Sequence, residues 1–105
     1  MLDHLALQVA SVADASAFYL DVFAPLGVRE AMQFERPDGL VVGLSGPDGF
    51  PHLWLGPLVD GGVRPVHLAL TAGSRESVDE VERLARVAGA EILHPAREWP
   101  EYHEA

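Results

Sequence analysis

The sequence predicts an α+β fold made of two copies of one βαβββ module, with a curved mixed sheet and the helices on its outer face. The first supporting observation is a repeat, because the motif DHLAL at residues 3–7 returns as VHLAL at residues 66–70, 63 residues later. The second is that a helical pattern follows each copy, opened by Ser11 and by Ser74. Self-similarity at a fixed period is the signature of repeated structural units. The 105 residues are therefore expected to form one domain of paired modules.

The first strand is predicted over residues 2–9, where apolar side chains alternate with small or polar ones. Because successive side chains of a strand point to opposite faces, the apolar set should meet the helices and the other set should line a groove. Leu5, Leu7 and Val9 form the apolar set, and His4, Ala6 and Gln8 form the other.

A helix is predicted directly after this strand. Ser11 is the candidate N-cap, and Asp14 follows at about the capping-box spacing, near the positive end of the helix dipole. Pro25 ends the regular helix, and Gly27 permits the turn that follows it. Three more strands are predicted, separated by turns that contain Pro, Asp and Gly. They cover residues 28–35, 40–45 and 51–58, so that module one spans residues 1–60.

Module two is predicted over residues 64–105, after a Gly61-Gly62 linker. Its first strand, residues 64–71, repeats the alternation of residues 2–9, and Ser74 opens an amphipathic helix that ends near Gly89. A short strand is expected over residues 90–94. When 63 is added to the positions of the last two strands of module one, their counterparts in module two fall at or beyond the end of the sequence. We therefore expect module two to lack those strands, either because the sequence is cut short or because the protein is naturally short.

Composition excludes several classes of function. The formal charge is −9, from 16 acidic residues against 7 basic ones, all of which are arginine. This argues against binding to nucleic acid or to anionic membranes, both of which need a basic face. The absence of cysteine removes disulfides, thiolate nucleophiles and Cys-ligated zinc. No basic leader or long apolar run is found, so a soluble cytoplasmic protein is expected.

Two histidines occupy equivalent positions in the repeat, His4 and His67. Imidazole is a common metal ligand, so one hypothesis is that both side chains point into a shared groove and bind a divalent metal. The alternative is that each is a structural histidine held by hydrogen bonds. If the shared site forms, the ligating nitrogens should lie within about 4 Å of each other, since each would be about 2 Å from the metal.

The predicted pocket collects further residues from the same faces. Trp54 alternates with leucines in the fourth strand, so it either stacks on an apolar substrate as a pocket wall or packs as an ordinary core residue. Near the end of the sequence, Tyr102 and His103 are candidates for catalytic proton relay, although an exposed tail without a role is the alternative. Glu101 and Glu104 are weaker candidates for a replacement metal ligand. The remaining expected pocket residues are Gln8, Ala69 and Thr71.

At these residues the chain resembles the vicinal-oxygen-chelate superfamily, which includes glyoxalase I, extradiol dioxygenases and bleomycin-resistance proteins. The matching features are the two HLAL motifs, the Phe18-Tyr19 pair ahead of residues 25–27, and the start and exit of the second helix. The resemblance implies paired βαβββ modules around a cavity. It implies that His4 and His67 match two of the family's metal positions, and that Trp54 occupies a third position, which holds a ligand only in some branches of the family. The last ligand is typically a Glu on the final strand of module two.

Two functions follow from this resemblance. The first is a metal-dependent lyase or dioxygenase, in which divalent Fe, Zn, Ni, Co or Mn acts as a Lewis acid on the vicinal oxygens of a small substrate. The alternative is a metal-free protein that binds or sequesters a small cationic or aromatic molecule, as resistance proteins do. The incomplete second module should leave an unpaired sheet edge, which predicts a homodimer.

Overall fold

The computed structural model describes residues 1–97, and these form an α+β fold, as predicted. One four-stranded sheet is combined with two α-helices and a short 3₁₀ turn at Ala24–Leu26. The strands are β1 (Leu5–Val9), β2 (Arg29–Arg36), β3 (Gly39–Ser45) and β4 (Pro51–Pro57), and the helices are α1 (Val12–Val22) and α2 (Arg75–Val87). The order of elements over the first 57 residues is the βαβββ order that the sequence predicts for module one.

The sheet has the strand order β1-β4-β3-β2, so the first and last strands of the module are neighbours. β1 pairs with β4 in parallel, with Leu5 opposite Leu53 and Ala6 opposite Trp54. β4 pairs with β3, and β3 with β2, in antiparallel fashion. The two edges of this sheet are therefore β1 and β2.

The core lies between α1 and one face of the sheet, as the alternation predicts. Leu55 is fully buried there and packs with Val12, Val42 and Leu44. Leu7 and Val9 of β1 pack against the same cluster. The helix is fixed at its start by Ser11, whose hydroxyl accepts a hydrogen bond from the backbone N–H of Asp14 at 3.2 Å, which confirms the predicted N-cap.

The opposite face of the sheet carries Ala6, Trp54, Gly43 and Phe34, which the strand register brings onto one surface. Both helices lie on the core side, since α1 contacts β3 and β4 while α2 contacts α1 and the 3₁₀ turn. Within residues 1–97 no helix covers the other side. We call this surface the open face.

α2 begins at Ser74, whose hydroxyl accepts a hydrogen bond from the backbone N–H of Ser77 at 3.1 Å. The predicted second N-cap is therefore also confirmed. After α2 the chain turns at Gly89, which adopts a φ of 86° that favours glycine. Neither of the two helices described here has both the length and the apolar composition needed to cross a membrane.

The structure differs from the sequence prediction in module two. The strands predicted over residues 64–71 and 90–94 are not formed, although all of these residues are described. The reason lies in strand pairing. β1 is held by β4, whereas both sides of β4 are already taken by β1 and β3. The outer edges of β1 and β2 stay open, but residues 64–71 pair with neither of them. The repeat therefore supplies the alternation of a strand without a lateral partner, and Val66 is left 56% exposed. The expected groove between two sheets is accordingly replaced by a single sheet with one open face.

We predict that Leu55→Ala destabilises the protein by about 2–5 kcal/mol, because it removes a fully buried side chain from the centre of the core. Urea unfolding followed by far-UV circular dichroism would measure the change. Val59→Ala is the matched control, since Val59 is 66% exposed and its truncation should change the stability by less than about 0.5 kcal/mol. Equal effects of the two substitutions would contradict this description of the core.

Candidate functional site

A groove of about 480 Å³ lies on the open face, and we call it the open-face groove. Its base comes from β1, β3 and β4, and its walls come from the last residue of β2, from the chain before β1 and from the chain before β4. The groove is lined by Asp3, His4, Ala6, Arg36, Val41, Phe50, Pro51 and Trp54.

Trp54 is the largest side chain in the groove, and its position is fixed by its neighbours. A methyl group added at Gly43 would lie 3.0 Å from two ring carbons of Trp54 and 3.0 Å from the Cβ of Pro51, so the indole rests directly on the glycine. Phe34 stacks on Trp54, with ring centroids 6.0 Å apart and ring planes 11° apart. These contacts hold a flat apolar surface at the groove, and Trp54 remains only partly buried.

His4 lies in the groove beside its neighbour in sequence. Its Nδ1 is 2.8 Å from the Oδ1 of Asp3, so the ring donates a hydrogen bond to that carboxylate. This hydrogen bond leaves Nε2 as the nitrogen that can accept a proton or a metal. A carboxylate at the far nitrogen is the orientation found in many metal-ligating histidines. His4 is therefore oriented as a metal-ligating histidine would be, and its side chain is exposed.

The other predicted site residues are not gathered around His4. His67 and Ala69 are exposed in the irregular segment before α2 and do not line the open-face groove. Gln8 is exposed on β1 and also lies outside the groove lining, while Thr71 lines a different cavity. Tyr102 and His103, with Glu101 and Glu104, lie outside the described residues. Residues 64–71 belong to no strand, so no sheet pairing places His67 beside His4, and the predicted pocket residues that line the two cavities described here are divided between them.

A metal centre needs several convergent ligands, usually three from the protein in a catalytic site. Among residues 1–97 no group of three or more His, Cys, Asp or Glu side chains is arranged to hold an ion. The donor set of residues 1–97 therefore does not fit a chelated catalytic metal.

His52 joins three segments of the chain, a role that its place in the sequence does not predict. Its Nδ1 lies 2.7 Å from the backbone carbonyl oxygen of Asp3, and its Nε2 lies 2.7 Å from the Oδ2 of Asp48. Both partners are acceptors, so both ring nitrogens donate when the ring is protonated. The only signal in the sequence was the Asp–His spacing of four residues across a turn, which is too common to be informative.

His52 and Asp48 each favour the charged form of the other. The carbonyl of Asp3 and then the carboxylate of Asp48 raise the pKa of His52 above its ordinary value. The hydrogen bond from His52, followed by one from the backbone N–H of Phe50, lowers the pKa of Asp48. The pair lies at the edge of a second cavity, of about 510 Å³, on the core side of the sheet. Apolar residues make up most of its lining, among them Tyr19, Phe23, Leu26, Val28, Leu44 and Leu53.

Comparison with known proteins adds no identification. The chain matches no protein-family model, and a comparison with curated proteins finds no match either. The resemblance to the vicinal-oxygen-chelate superfamily therefore stays a prediction from sequence.

We predict that Gly43→Ala displaces Trp54 and destabilises the fold by about 1–3 kcal/mol, as overpacking of a buried site usually does. The chain has two tryptophans, so fluorescence should be recorded in a Trp99→Phe background, where a shifted emission maximum reports on Trp54 alone. Gly46→Ala is the control, because an added methyl group there meets nothing within 4 Å. An unchanged emission spectrum in Gly43→Ala would contradict the described packing.

The His52–Asp48 pair predicts a pH dependence of stability. Because the pKa of His52 is raised on folding, its contribution is fully present below about pH 6.5, the ordinary histidine pKa, and is lost as the pH rises through the folded value. Because the pKa of Asp48 is lowered, its contribution is present above about pH 3.9 and is lost as the pH falls through its folded value. The pair is therefore most stabilising between these limits.

Melting temperatures at pH 5.5 and pH 8.5 would measure this effect. We expect the wild type to lose more stability over that interval than His52→Gln, which cannot gain the charge. His67→Gln is the matched control, because His67 is exposed and should leave the wild-type dependence unchanged. Identical pH dependence in the wild type and in His52→Gln would show that the pair does not act as described.

Proposed function

We propose that this chain binds a small, planar, aromatic molecule in the open-face groove, as a metal-free glyoxalase-like member of the vicinal-oxygen-chelate superfamily. The observation that carries the proposal is the stacked Phe34–Trp54 pair beside a groove on an uncovered sheet face. This is the binding function that the sequence suggests as the alternative to a metal-dependent enzyme.

The surface chemistry of the open face supports the binding of an aromatic ring. Phe34 is 41% exposed and Met32 is 42% exposed, so both keep apolar surface in contact with water. Covering such surface is favourable, and aromatic rings prefer to stack with an offset on other rings. A groove of about 480 Å³ also lies within the range of small-molecule sites, which combine an apolar lining with a few polar groups.

The proposed assembly is a homodimer. β1 pairs on one side with β4, and within residues 1–97 no strand pairs with its other side. An open edge of this kind favours association with a second copy. Two copies that met near the open face would also reduce the exposure of its apolar side chains.

A metal-dependent lyase or dioxygenase is the second candidate. It is favoured by the hydrogen bond from His4 to Asp3, which orients the free Nε2 as a metal ligand would require. The described donor set is incomplete for such a centre, so this candidate needs ligands from outside residues 1–97 or from a second copy.

We predict that benzamide, a neutral aromatic probe, binds the protein in saturation-transfer NMR, and that cyclohexanecarboxamide binds more weakly. Trp54→Leu should weaken benzamide binding about threefold to tenfold, because it keeps an apolar side chain but removes the ring on which benzamide stacks. Phe18→Leu is the matched control, since Phe18 lies on α1 and contacts Tyr19 rather than the groove. Equal binding of the two amides, or no effect of Trp54→Leu, would overturn the proposal.

The same sample separates the two candidates. If addition of Ni²⁺, Co²⁺, Zn²⁺, Mn²⁺ or Fe²⁺ raises the melting temperature, and His4→Ala abolishes the rise, the metal-dependent candidate is favoured, because a ligand that binds only the folded state stabilises it. The metal-free proposal expects no such His4-dependent rise.

A further inference from the structure

We propose that the ligand of the open-face groove is a planar aromatic carboxylate, and that Arg36 selects it by pairing with the carboxylate. This inference rests on the proposed binding function and names the chemical class of the ligand. It differs from the small cationic molecule that the sequence offers as one alternative ligand.

Arg36 is placed to act on a ligand in the groove. It is the last residue of β2 and lines the open-face groove together with Trp54. Arg36 and Phe34 lie two residues apart on the same strand, so both side chains project from the open face. The guanidinium thus belongs to the same surface as the stacked aromatic rings.

Arg36 is uncommitted, which is unusual in so acidic a chain. Arg64 pairs with Asp60, Arg83 with Glu80 and Arg86 with Glu82, and Arg29 donates to the backbone carbonyl of Pro47. In the part of the chain that the structure describes, Arg36 forms no ion pair or hydrogen bond, although Glu35 and Asp38 are close in sequence. Although the chain has 16 acidic residues, the guanidinium of Arg36 therefore remains available to bind a ligand.

The charged groups of the groove lining are separated along the sheet. Its one carboxylate, on Asp3, already accepts a hydrogen bond from His4 and lies at the end of the sheet away from Arg36. Arg36 is then the unpaired charge that a ligand meets. A guanidinium binds a carboxylate through two parallel hydrogen bonds, which gives orientation as well as affinity.

The strand register sets the direction of such a ligand. β2 ends at Arg36, opposite Gly39 at the start of β3, whereas His4 precedes β1 at the other end of the sheet. Trp54 lies between these ends, opposite both Ala6 and Gly43. A ring stacked near Trp54 would therefore point its carboxylate toward Arg36 and its other end toward His4.

The test compares three probes that share one ring: benzoate, benzamide and benzylamine. In the wild type we expect benzoate to bind about tenfold more tightly than benzamide, and benzylamine to bind most weakly, by NMR titration at low salt. Arg36→Gln should reduce benzoate affinity to the level of benzamide and leave benzamide itself unchanged, while Arg36→Lys should restore part of the difference. Added salt should weaken benzoate binding in the wild type more than in Arg36→Gln, because screening acts on the ion pair.

Arg29→Gln is the matched control, since Arg29 lies on the same strand at its opposite end and donates to Pro47. It should leave benzoate binding unchanged. If benzamide binds but benzoate binds no more tightly, or if Arg36→Gln leaves benzoate affinity as it was, this inference is overturned while the proposed binding function stands. Tightest binding by benzylamine would also overturn it and restore the cationic ligand. If none of the three probes binds, the proposed function itself fails.

Discussion

The parallel pairing of β1 with β4 is the interaction on which the rest of the structure depends. It joins the first residues of the chain to residues about 48 positions later, with Leu5 opposite Leu53 and Leu7 opposite Leu55. Long-range pairing of this kind has a considerable entropic cost, which burial of the apolar face must offset. Once formed, the pairing completes the core beneath α1 and brings the residues before β1 next to β4. Both the groove and the contacts of His52 with Asp3 follow from that juxtaposition.

One alternating pattern serves two purposes in this sheet. In β4, Leu53 and Leu55 support the core, while Trp54 between them faces the groove. A strand whose two faces are both specified cannot slip by one residue without exchanging them, so the register of the core also fixes the register of the site. The site therefore does not depend on flexible loops for its central residue. Only the residues at its ends, such as Arg36 and Phe50, come from strand termini and turns.

The sequence predicts the elements of module one and the helix of module two closely, but it predicts the strands of module two wrongly, for a physical reason. Alternation, caps and turn residues are local signals, and they predict β1–β4, α1, α2 and the N-caps Ser11 and Ser74. Whether an alternating segment becomes a strand depends on a lateral partner, which is why residues 64–71 carry the pattern of β1 without its structure. The roles of His52 and Arg36 were missed for a related reason. His52 acts through partners that only the tertiary structure brings to it, and Arg36 is available because the tertiary structure brings no acidic partner to it in the described residues.

The contact between Gly43 and Trp54 has a consequence for how such a groove can change over generations. The indole and the Cβ of Pro51 together occupy the volume that a side chain at position 43 would need, so the three positions share one space. A larger residue at 43 becomes acceptable only when the residue at 54 becomes smaller and the residue at 51 also gives room, and each such exchange reshapes the floor of the groove while the strand pairing stays intact. Related chains that accept different ligands are therefore expected to vary at these three positions together, and a larger residue at 43 alone should be rare.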